Sequence, residues 1–130
     1  MGTGGRVNRL SIGPIGLLLC GILHSIPDEE HPAALVAALS RALPPGSYVF
    51  IHHLLDGEDP ATAGLQSAMR RALVPVQFRT RAQIRYLFGG LELVPPGLVL
   101  VPQWRPGPGT PSEQDWPVLR LACAGLAHKP

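Results

Sequence analysis

An almost unbroken run of apolar residues from Gly16 to Leu23 is the strongest hydrophobic pattern in the chain. The run is too short to span a membrane and ends abruptly at the polar residues His24 and Ser25, which is typical of a buried parallel strand followed by a loop. Ligands of open α/β sheets bind beyond the carboxyl ends of the strands, so His24 is a candidate for a binding site. A lone histidine at a strand end is more often a structural hydrogen-bonding residue, and the spacing alone leaves that alternative open.

A helix and a second strand follow this run. Leucines four residues apart predict an amphipathic helix from about Pro32 to Leu43, and β-branched and aromatic residues predict a strand from Ser47 to Leu54. A crossover of this length is right-handed in nearly all proteins and places its two strands side by side and parallel. His24 and the pair His52–His53 should therefore lie at the same edge of the sheet.

The second half of the chain alternates shorter elements with proline-rich breaks. We expect a helix from about Asp59 to Leu73, a short helix after the capping-box sequence Thr80–Gln83, a strand from Leu91 that Pro95–Gly97 interrupts, a loop over Pro102–Asp115 and a last strand over Val118–Ala127. The last strand follows a long hairpin connection, so it should run antiparallel to its neighbour.

Composition and charge narrow the class of protein. Of the 130 residues 45% are hydrophobic and 15% charged, which is typical of one globular domain, and we assign residues 1–13 to a flexible lead-in and 14–130 to the domain. The net charge of +2 comes without a basic stripe, so we expect no nucleic-acid partner. Glycine and proline interrupt the amino-terminal apolar run and argue against export or a membrane anchor, and Cys20 and Cys123 in apolar runs suit a reducing cytoplasm.

Few residues suggest catalysis by themselves. A metal site built from His24, His52 and Asp28 is conceivable, but no ligand pair at a typical spacing supports it, and we predict no metal. A hydrolase triad is not supported either, because Ser25 and Ser47 lack a Gly-x-Ser-x-Gly turn. Asp28 is most simply part of a solvated turn at a helix start.

Four segments together resemble a known family. They are Ile-Leu-His-Ser-Ile-Pro-Asp at 22–28, Leu-Pro-Pro-Gly-Ser-Tyr-Val at 43–49, Phe-Gly-Gly-Leu-Glu-Leu-Val-Pro-Pro-Gly-Leu-Val at 88–99 and Trp-Arg-Pro at 104–106. In this order they resemble the S-adenosyl methyltransferase family of actinobacteria. The resemblance covers about residues 15–130.

The resemblance implies an α/β fold, the carboxyl-terminal half of a Rossmann-like class I methyltransferase sheet. That family has seven strands in the order 3-2-1-4-5-7-6, and the present strands would be 4, 5, 6 and 7, with crossover helices and an antiparallel last strand. Strands 1 to 3 and their glycine-rich cofactor loop have no counterpart, and Gly2, Gly4 and Gly5 follow no strand, so they cannot form that loop.

The resemblance also implies site residues and partners. Leu23, His24 and Ser25 would border the cofactor S-adenosylmethionine, and His24 or His52 would accept a proton from a small-molecule acceptor. We expect an S-adenosylmethionine-dependent methyltransferase half, inactive alone; the alternative is an inert fragment or a strand-pairing module without cofactor binding.

The strand at Leu17 to Leu23 would then be an apolar edge. An edge without charge or proline tends to recruit another strand, so we expect self-association or pairing with a separate amino-terminal half. If the side chain of Leu19 is uncovered, Leu19→Lys should raise the fraction of soluble monomer.

Overall fold

The structure, a computed structural model, describes residues 13–112, 114 and 116–130. All but the last residue of the predicted lead-in, and the glycines of its Met-Gly-Thr-Gly-Gly start, lie outside the described residues. The strands are β1 (Gly16–Cys20), β2 (Tyr48–Leu54), β3 (Glu92–Leu93), β4 (Val99–Leu100) and β5 (Ala122–His128), and the helices are α1 (Pro32–Ala42), α2 (Ala61–Arg71) and α3 (Arg81–Leu87).

The unit β1–α1–β2 has the predicted crossover. β1 and β2 are parallel, with Gly16 opposite Tyr48 and Cys20 opposite His52. Pro32 stands in the first turn of α1, where its missing N–H costs nothing. At the other end of α1 the ammonium of Lys129 donates to the carbonyls of Ser40 and Leu43, both at 2.6 Å. Because these terminal carbonyls lack partners within the helix, this lysine ties the end of the chain to the crossover.

The first strand is shorter than predicted. β1 ends at Cys20, and Gly21 takes a positive φ of 66°, a conformation that glycine adopts without a steric penalty. Leu23–Ser25 then form a single 3-10 turn instead of continuing the strand. The apolar run therefore serves two purposes, because its first part is a strand and Leu23 is fully buried in the core beyond the strand end.

Helices α2 and α3 connect β2 to the rest of the sheet. The capping box of α3 is confirmed: Gln83 N donates to Thr80 Oγ1 at 3.2 Å, and Thr80 N donates to the side chain of Gln83 at 2.9 Å. The predicted end of α2 at Leu73 is wrong. The helix stops at Arg71, and Leu73 is exposed with a positive φ of 59°. No helix in the described part of the chain is long and apolar enough to cross a membrane.

The last three strands complete a five-stranded sheet of order β1-β2-β5-β3, with β4 pairing farther along β5. β5 is antiparallel to β2, β3 and β4, which confirms the expected antiparallel last strand. This arrangement is the order 4-5-7-6 that the resemblance implies, with strand 6 divided into β3 and β4. The last strand starts later than predicted, because residues 117–121, which begin with a proline, form a 3-10 turn.

The two faces of the sheet differ in coverage. Inward residues such as Leu19, Val49 and Ile51 pack into the core with residues of α1 and α3. On the outward face Leu18 is 64% exposed, while Trp104 packs edge-on against Phe50 with ring centroids 6.5 Å apart. Leu19 is only 6% exposed, so the condition on which the Leu19→Lys prediction depends is not met. Alternation along the strand uncovers Leu18 instead.

Candidate functional site

The candidate site lies where β1 and β2 end at the same edge of the sheet. Directly after β1, the N–H of Gly21 donates to the carbonyl of His52 at 3.2 Å, so the chain turns back over the end of β2. A Cβ atom at Gly21 would lie 3.4 Å from Cε1 of His24. The positive φ of Gly21 explains why the sequence has glycine at this point. The turn places His24 over the strand ends.

The three residues of the turn, Leu23–Ser25, differ in burial and in whether they line a cavity. His24 is half-buried and Ser25 exposed, and both line a cavity of about 530 Å³. Leu23 is fully buried; its side chain belongs to the core and does not line this cavity. Of the three predicted cofactor contacts, two therefore present side chains to the cavity. The other lining residues are Pro27, Glu29, Gln66, Arg70, Pro75, Val76, Gln77 and Phe78.

His24 carries the clearest chemical feature of this cavity. Burial lowers the pKa of its imidazole, and the nearby His52 and Arg79 lower it further. A lowered pKa keeps the ring neutral at physiological pH. Its Nδ1 atom is buried and has no hydrogen-bond partner among the described residues. Because the ring also lines the cavity, a neutral imidazole at this position can accept or donate one hydrogen bond to a bound molecule through its accessible side.

His53 lies beside His24 and has a different role. The two rings meet edge to face with centroids 6.0 Å apart, which confirms that the topology brings these histidines to one edge. His53 is fully buried, and both of its ring nitrogens have partners: Nδ1 lies 2.7 Å from the carbonyl of Leu54, and Nε2 lies 2.9 Å from Nη1 of Arg79. A ring with both nitrogens engaged is structural.

His52 points to the opposite face of the sheet from His53, since neighbouring residues of a strand alternate. Burial lowers the pKa of its ring, so it too is neutral at physiological pH. It does not line the cavity described above, although it is close enough to lower the pKa of His24. The structure therefore brings His24 to the cavity and leaves His52 on the outward face.

Sequence reasoning missed the residue with the most polar contacts at this edge. Arg79 is 2% exposed, and its guanidinium contacts Asp28 at 2.9 Å. The side chain of Gln77 also bonds to Asp28, with 2.6 Å between Nε2 and Oδ2. These hydrogen bonds from Gln77 and Arg79 lower the pKa of the Asp28 carboxyl. Asp28 begins a 3-10 turn and its side chain is 62% exposed, as the sequence predicts, but its pairing with Arg79 and Gln77 was not predicted.

No local sequence signal identifies Arg79 as buried. It lies in a short segment in which Val76 and Phe78 alternate with Gln77 and Arg79, a pattern that predicts an exposed arginine. Its burial depends on carbonyl groups and a carboxylate from a distant part of the chain, which pair with four of its five N–H donors, while the fifth faces His53.

The edge of the sheet disfavours a positive charge on the ring of His24, because burial and the nearby charge of Arg79 both lower its pKa. The cavity has room for a small molecule, and its walls combine amide, carboxylate and apolar groups. Among the described residues, no group of three or more histidine, cysteine or acidic side chains could hold a metal ion.

Comparison with known proteins identifies relatives of this chain. The model of a family described as S-adenosyl methyltransferase matches residues 10–130. No curated protein matches the chain significantly.

Two crystal structures are similar over most of the chain. A proposed methyltransferase from Thermobifida fusca is 33% identical, with a TM-score of 0.79 over 98% of this chain. A DUF574 family protein from Streptomyces avermitilis is 29% identical, with a TM-score of 0.79 over 94% of this chain. In both cases the match covers 48% of the other protein, so this chain spans about half the length of these relatives.

Proposed function

Because the chain belongs to the S-adenosyl methyltransferase family, we propose that it supplies the acceptor-facing half of an S-adenosylmethionine-dependent methyltransferase. The observation that carries this proposal is the neutral imidazole of His24, which lines a cavity at the joint carboxyl edge of β1 and β2. In open α/β sheets this edge is where ligands bind. The match covers 48% of each relative, so the chain corresponds to about half of a fold of that size.

The residues of this half fit the cofactor in position. When bound, S-adenosylmethionine supplies a methyl group on a positively charged sulfur that departs as a neutral thioether. His24 and Ser25 would hold its reactive end at the cavity, and the neutral ring of His24 adds no repulsion. Leu23 would contribute only through the backbone of the turn, because its side chain is buried.

Methyl transfer needs alignment more than acid–base catalysis. An acceptor hydroxyl or amine still loses a proton, and the neutral ring of His24, which lines the cavity, is the group placed to take it. His53 cannot, because both of its nitrogens are engaged. The proposed acceptor is a small polar molecule that occupies the cavity lined by His24, Gln66 and Arg70.

The experiment is a titration of the ¹⁵N-labelled chain with S-adenosylmethionine, followed by NMR. We expect shifts at the amides of residues 23–25 and an affinity of about 1 mM or weaker, because half of the contacts belong to the other part of the fold. His24→Ala should weaken these shifts, while Tyr86→Ala, an exposed residue outside this cavity, should not. A low-micromolar dissociation constant, or shifts confined to another surface, would contradict the proposal.

A second candidate function is a strand-pairing module without cofactor binding. The observation that favours it is the unpaired outer side of β1 in the described part of the chain, next to the exposed side chain of Leu18. A chain that binds no S-adenosylmethionine in the titration and associates through β1 would support this alternative.

A further inference from the structure

Arg79 connects the ends of the two parallel strands. Its backbone is fixed at the end of β2, where its N–H donates to the carbonyl of Leu54 at 3.3 Å and its carbonyl accepts from Asp56 at 2.8 Å. Its side chain extends from this fixed point toward the turn that follows β1. The guanidinium is 2% exposed, so each of its N–H groups needs a protein partner.

The partners are groups of the turn itself. Nη1 donates to the carbonyl of Leu23 at 3.0 Å and Nη2 to the carbonyl of Ile26 at 2.8 Å. Nε and Nη2 both contact one carboxylate oxygen of Asp28, at 3.2 and 2.9 Å. A planar guanidinium that donates to two carbonyls and a carboxylate fixes the relative positions of these groups. A lysine ammonium, a single charged point on a flexible chain, does not fix them in this way. His24 and Ser25 lie between these anchored groups.

A neighbouring backbone contact strengthens the same connection. The N–H of Gln77 donates to the carbonyl of His24 at 2.6 Å, so the segment that carries Arg79 also binds the central residue of the turn.

The contact with His53 defines a tautomer. A guanidinium has only donors, so Nε2 of His53 must accept from Arg79. The hydrogen of the neutral ring is then on Nδ1, which donates to the carbonyl of Leu54. Arg79 therefore holds His53 as the neutral Nδ1–H form.

We propose that Arg79 is a positioning residue that holds the turn Leu23–Asp28, and with it His24 and Ser25, in the conformation that presents them to the cavity. The identity of the molecule that binds in the cavity rests on the proposed function, but the positioning role of Arg79 does not. The connection between Arg79, the turn and His53 is a property of this chain without any ligand.

The test compares Arg79→Lys with Arg81→Lys by NMR. Lysine at 79 keeps a positive charge opposite Asp28 but cannot donate to both carbonyls and to His53 together. We expect the amide of Gln77 to exchange its hydrogen about tenfold faster in Arg79→Lys. We also expect the ¹⁵N shifts of His53 to lose the pattern of a single tautomer. Arg81 makes a surface ion pair with Glu58, so Arg81→Lys should change neither signal.

The unsubstituted chain provides a measurement that does not depend on a variant folding. Its His53 ring should show Nδ1–H and an unprotonated Nε2 between about pH 5.5 and pH 8. An Nε2–H tautomer in the unsubstituted chain, or wild-type exchange at Gln77 in Arg79→Lys, would overturn the proposal. Adding S-adenosylmethionine separates the two hypotheses. If it shifts no amide of the unsubstituted chain, the proposed function fails, while the exchange and tautomer data still decide the role of Arg79.

Discussion

At the residue scale, His53 shows how burial decides what a histidine can do. It is adjacent in sequence to His52 and adjacent in space to His24, and no part of its side chain reaches solvent. Burial lowers the pKa of its ring to about 4, and Arg79 acts in the same direction, although the contact with the Leu54 carbonyl opposes the shift. The folded state therefore strongly prefers the neutral ring.

This preference predicts a pH dependence of stability. The pKa of the His53 ring is 6.5 in the unfolded chain and about 4 in the folded chain, so the unfolded state binds more protons between these two pH values. The contribution of His53 is complete above pH 6.5 and is lost as the pH falls toward about 4. A shift of this size corresponds to at most about 3 kcal/mol, and the lowered pKa values of His24 and His52 act in the same sense.

Urea unfolding at several pH values measures this effect. We expect the free energy of unfolding to fall between about pH 7 and pH 5 by a fraction of that maximum. His53→Gln keeps an acceptor for Arg79 and a donor for the Leu54 carbonyl but has no titrating group. Its free energy of unfolding should therefore fall less over the same pH range. A wild-type free energy of unfolding that is constant over this range would show that protonation of His24, His52 and His53 is not linked to folding.

At the element scale, β1 combines a covered and an uncovered face. Leu18 and Leu19 are neighbours with the same chemistry, but their side chains are 64% and 6% exposed. The strand also lies at the end of the sheet order that the structure describes. An apolar strand at an edge, with one exposed face, favours association with another strand.

The two leucines provide a matched pair of variants. Leu18→Lys should reduce self-association while changing stability by less than about 0.5 kcal/mol, because its side chain is already in water. Leu19→Lys should destabilise the fold by about 3 kcal/mol or more, because it buries a charge in the core. Sedimentation velocity and thermal unfolding of both variants measure these effects. A wild-type chain that is a stable monomer at high micromolar concentration would contradict the edge hypothesis.

At the scale of the whole molecule, the sheet corresponds to part of a larger fold. The chain covers 48% of each of the two similar crystal structures, and β1 has a free side within the described residues. We therefore expect a complete cofactor site, and activity, only when the part of the fold that these relatives have in addition is also present.

A chimera tests this expectation. We join residues 14–130 to the part of the Thermobifida fusca protein that this chain does not match. We expect the chimera to bind S-adenosylmethionine at least about 100-fold more tightly than the chain alone, which is about 2.7 kcal/mol.

Within this chimera, His24→Ala should reduce turnover or cofactor affinity more than His53→Ala does, when both are measured on folded protein. Equal, near-wild-type kinetics of the two variants would show that His24 is structural.

The sequence by itself determined most of the elements and their order. Local signals are sufficient for these features, because a capping box such as Thr80–Gln83 and an amphipathic helix such as Pro32–Ala42 involve residues close together in the chain. The parallel pair and the antiparallel last strand followed from the lengths of the connections. The position of His24 beyond a strand end followed from the same patterns.

Only the tertiary structure decided which side chains meet at that edge. Arg79 and Leu23 are 56 residues apart, and no periodicity of either segment shows that one supplies the donors for the other. An all-apolar strand likewise does not indicate which of its faces is covered, so Leu18 and Leu19 could not be distinguished. Burial and hydrogen-bond partners depend on contacts between distant segments, and those contacts exist only once the sheet has assembled.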